Sequence, residues 1–362
     1  MEQLIYFASA HTAAGYRDLL ATNISDCQSV FFIEGATLKE RSNCIRQFFE
    51  KWRARGDKLE LILNNLDPTM LTGVINRQLS CAVIDRAAHP DFDIKSLASH
   101  SQLIDLNKSM IPRNESDREQ VVESQRNKDQ AIEDAHQAFH TALKIHDDLE
   151  KIFIHAMDFK KADRVAEDLI EEIFKDQKSA NKEPLLRRRF LGASTAQGVV
   201  DYVDQLTEHL TKRYLIKGRA GSGKSTLLRK VVDEAVERSY STEIYHCGFD
   251  PDSLDMVIIR ELGIAIFDST APHEYEATRH GDQIVDLYET TISPGTDEKY
   301  QDEISRLTKS YKQEIDKAVT HLAKALEQNE KIETIKQNLI DLTLFEQQIT
   351  TLSEQVEQIQ TN

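Results

Sequence analysis

Sliding this 362-residue chain against itself by 183 positions aligns residues 7–90 with 190–273 without a gap. About a quarter of the aligned pairs are identical, against ~6% for chains of average composition. FASAHTAAG matches FLGASTAQG, LDPTMLTGVINRQL matches FDPDSLDMVIIREL, and CAVIDRAAH matches IAIFDSTAP. A tandem duplication constrains the fold more than any other feature, because what one half adopts the other must adopt too.

Each copy reads as an alternating α/β unit. In the second, Phe190–Ala193 reads as a short strand, 199–210 as helical, Arg213–Lys217 as a strand and Ser225–Arg238 as a helix. Glu243–Cys247 is a further strand, Ser253–Leu262 a helix, and Ile264–Phe267 a buried strand ending at Asp268. Strands separated by helices imply a parallel sheet with right-handed crossovers. Roughly Glu115–Lys178 and Asp297–Gln360 follow the two units as charged segments with apolar residues at helical spacing, such as Ile304, Leu307, Tyr311, Ile315 and Val319. The expected fold is therefore α/β: tandem, P-loop NTPase-like αβα domains with parallel sheets, each followed by a long helical hairpin packed on its own domain. The boundaries fall at 1–112 (first α/β domain), 113–180 (helical), 181–189 (a polar, Pro-containing linker), 190–296 (second α/β domain) and 297–362 (helical).

Gly218-Arg219-Ala220-Gly221-Ser222-Gly223-Lys224-Ser225 satisfies GxxxxGK[ST], a pattern expected by chance in only about 1% of chains this long. It lies where its chemistry needs it, after an apolar strand and at the start of a helix. The glycines let the backbone wrap a phosphate with successive N–H groups pointing inward, and the helix N-terminus adds partial positive charge. From Gly218 to Thr226 the loop would hold a nucleoside triphosphate, with Lys224 reaching the β- and γ-phosphates and Ser225 joining a Mg²⁺ shell. Asp268, at the end of a neighbouring strand, suits a Mg²⁺ contact made partly through water. The first copy also has an aspartate there, Asp85, so a structural role competes.

Asp250 offers a carboxylate near a γ-phosphate, but Asp67-Pro68 occupies the equivalent place, and a turn explains both. Arg260 is shared as Arg77 and reads as an ion-pair residue. His246, Cys247, Asp255, Thr270 and His273 have no chemical counterpart in the first copy, which places His246 and His273 among the candidates for contact with nucleotide, acceptor or water. Asp268 is followed by Ser269, not by a water-activating glutamate.

The net charge of −16 excludes a general nucleic-acid footprint. Between Lys182 and Lys230, however, eleven basic residues face four acidic ones, a local positive field suited to a polyphosphate. No apolar run approaches the roughly 20 residues that cross a bilayer, and the N-terminus lacks a basic region before its apolar stretch. The four scattered cysteines read as reduced thiols, so a cytoplasmic protein is expected.

With LIKGRAGSGKST, YHCGFDPDSLDMVI, IFDSTAPH and the preceding TAQG, the chain resembles a bacterial family of duplicated P-loop proteins regarded as ATPases or nucleotide kinases. The resemblance spans nearly the whole chain and implies nucleotide binding.

In the first copy the loop reads FFIEGATLKERSN. Gly35 and Ser42 survive, but Leu38 and Glu40 replace Gly221 and Gly223, and Arg41 replaces Lys224. Side chains at the former glycines, and a carboxylate where phosphate would sit, predict one nucleotide site per chain. The leading expectation is a Mg²⁺-dependent ATPase using ATP. The alternatives are a kinase for a nucleotide or small acceptor, and a nucleotide-gated binding module whose helices engage a protein partner. Base preference and oligomeric state are not encoded in any motif.

Overall fold

A computed structural model describes residues 3–97, 101–112, 114–271 and 274–359. In the first half, β1 (Gln3–Tyr6) leads to the hairpin β2 (Ser9–Thr12)–β3 (Gly15–Asp18), the short α1 (Leu20–Ile24) and β4 (Ser29–Glu34). Then come α2 (Leu38–Ala54), β5 (Leu59–Leu63), β6 (Leu71–Asn76), β7 (Cys81–Asp85) and β8 (Ser101–Asp105), followed by α3 (Glu115–Ala156) and α4 (Phe159–Phe174). The second half repeats this order with β9 (Leu186–Phe190), β10 (Gly192–Thr195), β11 (Gly198–Asp201), α5 (Val203–Leu206), β12 (Lys212–Lys217) and α6 (Lys224–Glu237). Next are β13 (Thr242–His246), β14 (Leu254–Ile259), β15 (Ile264–Asp268) and β16 (Asp282–Asp286). Short helices α7 (Leu287–Thr291) and α8 (Thr296–Lys299) precede α9 (Gln301–Gln337) and α10 (Leu342–Ile359).

The strands form two six-stranded sheets of matching order, β1-β5-β6-β7-β4-β8 and β9-β13-β14-β15-β12-β16. Both are mostly parallel, but β6 and β14 run antiparallel to both neighbours. This corrects the expected helix at Ser253–Leu262: Leu254–Ile259 is a strand, followed by one tight turn at Arg260–Leu262. LDMVII is buried at every position, and a strand buried on both faces reads as a continuous apolar run that mimics helical spacing. The region expected to be helical at 199–210 likewise yields strand β11 and only the four-residue α5. The last residues of the expected linker are β9, an edge strand paired with β13.

Outer-face residues of the first sheet, including Phe31, Ile33 and Val83, pack with Cys44, Ile45 and Phe48 of α2. Ile349, Leu352 and Val356 of α10 complete that layer. In the second half, Ala166, Leu169, Ile173 and Phe174 of α4 join Leu227, Leu228 and Val231 of α6 on the outer face. Contrary to the expectation from the sequence, α4 and α10 therefore do not pack on the sheets of their own halves. They cross: α4 of the first half covers the second sheet, and α10 of the second half covers the first. Each fully buried apolar side chain in these layers contributes about 1.5–3 kcal/mol, which favours the exchange over leaving either face bare.

The long helices α3 and α9 pair antiparallel. Lys128 Nζ donates to Asn329 Oδ1 at 2.8 Å, Phe139 packs with Ala318 and Leu322, and Ile152 and Phe153 pack with Leu307. Their apolar faces are thus taken by each other. No helix among the described residues is long and apolar enough to cross a membrane.

Between the two sheets lies a shared core of Tyr6, Phe32, Ile62 and Ile84 with Leu215, Tyr245, Met256 and Phe267, edged by α1 and α5. A polar lock crosses it. Arg189, with no exposed surface, donates to Glu60 at 2.7 Å, lies 3.2 Å from Glu243 and sits 4.0 Å from the Tyr6 ring centre. Arg77 clasps Glu60 and Arg260 clasps Glu243, each at 2.7 Å, in the ion-pair role expected for this matched pair. Burial alone would raise the Glu60 carboxyl, but Arg189 and Arg77 hold it well below the usual carboxylate range.

Candidate functional site

β12 delivers the chain to Gly218, and α6 begins at Lys224. Between them Gly221 (φ 76°) and Gly223 (φ 85°) adopt left-handed backbone, which would strain a side-chain-bearing residue by roughly 1–2 kcal/mol. Gly223 is the N-cap of α6, and no side chain caps its first-turn N–H groups. Ser222 is buried, and its hydroxyl has no hydrogen-bond partner among the described residues. Lys224 folds back over the loop, with Nζ 2.9 Å from the Arg219 carbonyl and 3.6 Å from Asp268 Oδ2. A glycine cradle, an uncapped helix N-terminus and a lysine beside a carboxylate fit a phosphate group and its metal.

The flanking candidates separate by what already holds them. Ser225 Oγ accepts from Leu254 N at 3.0 Å, as Ser42 does from Leu71 N at 2.8 Å, so this bond is structural and shared. The hydroxyl keeps a second lone pair for a metal ion. Asp268 Oδ1 accepts from Thr270 N at 3.0 Å and from the Thr270 hydroxyl, leaving Oδ2 for Lys224. Asp250 is consumed by its turn, accepting from Asp252 N at 3.2 Å and Ser253 Oγ at 2.5 Å. His246 donates through Nδ1 to the Pro251 carbonyl at 2.7 Å and accepts at Nε2 from Arg188 at 3.1 Å. Burial and Arg188 lower its pKa despite the Pro251 bond, so it is a neutral linker with both ring nitrogens engaged. Burial also pushes the Cys247 thiol well above its ordinary value. His273 lies outside the described residues.

The basic window does not act as one field. Arg187 pairs with Asp26, Arg189 with Glu60 and Glu243, Arg213 with Asp282, and Lys230 with Asp163. Lys217 donates to the carbonyls of Ser269 and Tyr275. Lys224 and the exposed Arg219 are the cations that remain on the loop itself. Arg219 lies 3.3 Å from Asp297 and over the Tyr288 ring.

The first half shows how the same scaffold loses the cradle. α2 starts at Leu38, one turn earlier in the repeat than α6, and Thr37 caps it by accepting from Glu40 N. The loop has become helix. Arg41, the counterpart of Lys224, is buried against Asp85 at 2.8 Å and donates to the Gly35 carbonyl at 2.7 Å. Asn107 fills the space beside Gly35. Both former glycine positions, Leu38 and Glu40, thus lie in the first turn of α2, and the segment forms no glycine cradle.

The sequence reading missed the element that lies over the intact loop, the C-terminal end of α3. A Cβ on Gly221 would stand 2.6 Å from the Glu150 carbonyl oxygen and 3.0 Å from Ile154 Cγ1, and one on Gly223 would stand 3.7 Å from Met157 Sδ. The end of α3 is held there by Asp158 N donating to Thr291 O and Ser293 N donating to Ala156 O. A signal existed: at the 183-residue offset Glu150 matches Glu333, beyond the part of the repeat that aligns strongly. His146, Asp147 and Glu150 also bring three potential ligand atoms within 4.8 Å of one another on this helix, partly exposed. No family model matches the chain, and no curated protein or solved structure shows significant similarity to it.

Proposed function

We propose that the chain is an ATP-binding P-loop NTPase, a Mg²⁺-dependent ATPase with one nucleotide site, in its second half. The observation that carries this reading is the contrast between equivalent segments. Where the glycines and Lys224 are present the backbone forms an open-capped loop, and where they are replaced it forms a capped helical turn over a buried Arg41–Asp85 pair. In this reading the N–H groups of Gly218–Thr226 cradle the phosphates, Lys224 neutralises them, and Ser225 and Asp268 hold the metal. Bound Mg²⁺ would supply charge neutralisation at the β- and γ-phosphates.

A second reading, a nucleotide-gated module with little turnover, is favoured by Ser269. It follows Asp268, is fully buried, and bonds to Ile216 O and Tyr275 O, so no carboxylate stands there to orient water. Calorimetry with Mg·ATP on wild type and Lys224→Ala tests the site: one equivalent bound, and none by the variant, is the expected result. Two equivalents, or unchanged binding by Lys224→Ala, would overturn it. Phosphate release with and without nucleoside monophosphates then separates ATPase, kinase and silent switch.

A further inference from the structure

The pseudo-symmetry places two helix ends on two loops. α9 ends on the rebuilt loop of the first half, and α3 ends on the intact loop of the second. At the first, Glu333 of α9 accepts from Lys39 N at 3.4 Å, with Leu38 N and Arg41 also facing its carboxylate. Gln337 adds a bond to Glu40 at 2.9 Å. Leu38 and Lys39 stand in the repeat where Gly221 and Ser222 stand in the intact loop. A carboxylate from the long helix therefore occupies backbone N–H groups whose counterparts would face phosphate.

At the intact loop the arrangement is the same but the bonds are missing. Glu150, the counterpart of Glu333, brings its carbonyl against Gly221. Its carboxylate lies 3.9 Å from His146, and among the described residues no hydrogen bond joins it to the loop. The C-terminal end of a helix carries partial negative charge, and Asp147, Asp148 and Glu150 add to it. That end sits beside groups suited to a polyphosphate, in contact but unbonded.

We infer that the end of α3 is an autoinhibitory contact on the intact phosphate loop, which a nucleoside triphosphate displaces, while Glu333 keeps α9 docked on the first. This rests on the nucleotide reading above. Binding at the loop then shifts one end of the α3–α9 pair and leaves the other fixed, so occupancy becomes a movement of the helical pair relative to the sheets. By linkage, weakening the α3 contact must tighten nucleotide binding.

The test compares wild type, Glu150→Gln and Ile154→Ala in Mg·ATP titrations, with hydrogen exchange followed on residues 146–156. Both variants are expected to bind at least about fivefold tighter, in the ordinary range of coupled sites. Exchange at 146–156 in wild type is expected to rise on adding Mg·ATP. If wild type binds Mg·ATP but neither variant binds tighter, or exchange falls, this inference fails and the nucleotide reading stands. If no form binds Mg·ATP, the nucleotide reading fails and takes the inference with it.

Discussion

Replacing Arg189 by methionine removes a buried cation that reaches carboxylates of both halves. Arg189 is fully buried, and its guanidinium also bonds Asn23 at 2.9 Å and Tyr245 at 3.1 Å. Breaking a buried ion pair by deleting one partner costs about 3–5 kcal/mol, because the remaining charge is stranded. Here Glu60 keeps Arg77 and Glu243 keeps Arg260, so we place Arg189→Met near the lower bound, at about 3 kcal/mol. For a chain of 362 residues that corresponds to a fall of about 4 °C in Tm. Urea denaturation at neutral pH measures it directly. The pH dependence provides a second readout. The folded-state pKa of Glu60 is depressed, so its contribution is full above the ordinary carboxylate value of 4.5 and is lost as pH falls below it. The gap between wild type and Arg189→Met should therefore narrow below about pH 4. A loss under about 1 kcal/mol at neutral pH, or a gap that widens in acid, would refute the view that Arg189 holds the halves together electrostatically.

Leu352→Ala, in α10, should cost about 2–5 kcal/mol and raise hydrogen exchange in the first sheet, while Leu169→Ala, in α4, should do so in the second; the reverse pattern would contradict the crossed packing. Arg41→Ala should destabilise by about 3 kcal/mol through stranding of the fully buried Asp85, yet leave Mg·ATP stoichiometry unchanged by calorimetry. His11, 3.1 Å from His136, has its pKa lowered by burial to about 3. Its folded pKa lies below its unfolded one, so its contribution is present above about pH 6.5 and lost as pH falls from there toward 3. Denaturation midpoints of His11→Phe should fall less over that window than those of wild type.

The repeat, the strand before each loop and the helix after it were legible because their signals are local. β12, the glycines and α6 follow one another within about a dozen residues. LDMVII was misread because burial on both faces erases the alternation that distinguishes a strand. The crossing of α4 and α10 was illegible for a different reason: Leu169, Ile173, Leu352 and Val356 announce a buried face, but nothing in their spacing says which sheet covers it. At the site, Lys224 and the glycines were readable as a motif. Glu150 and Ile154 were not, since they approach the loop from a helix about seventy residues upstream. Asp250 and His246 show the converse, polar residues at a promising place that are already engaged, Asp250 by its own turn and His246 by Pro251 and Arg188.

A single copy of the repeat would be incomplete by its own geometry. It would end in a short amphipathic helix that its own sheet does not receive, and its sheet would show an apolar face awaiting a helix from elsewhere. Two separate copies could satisfy each other by trading helices, and fusion into one chain makes that trade permanent at a fixed ratio. Once joined, the copies need not remain equal: the first can surrender its glycines and harden into a scaffold, because the exchanged helices keep it folded beside the copy that retains them. Cutting the chain between the halves would therefore be expected to yield not two domains but two mutually dependent fragments.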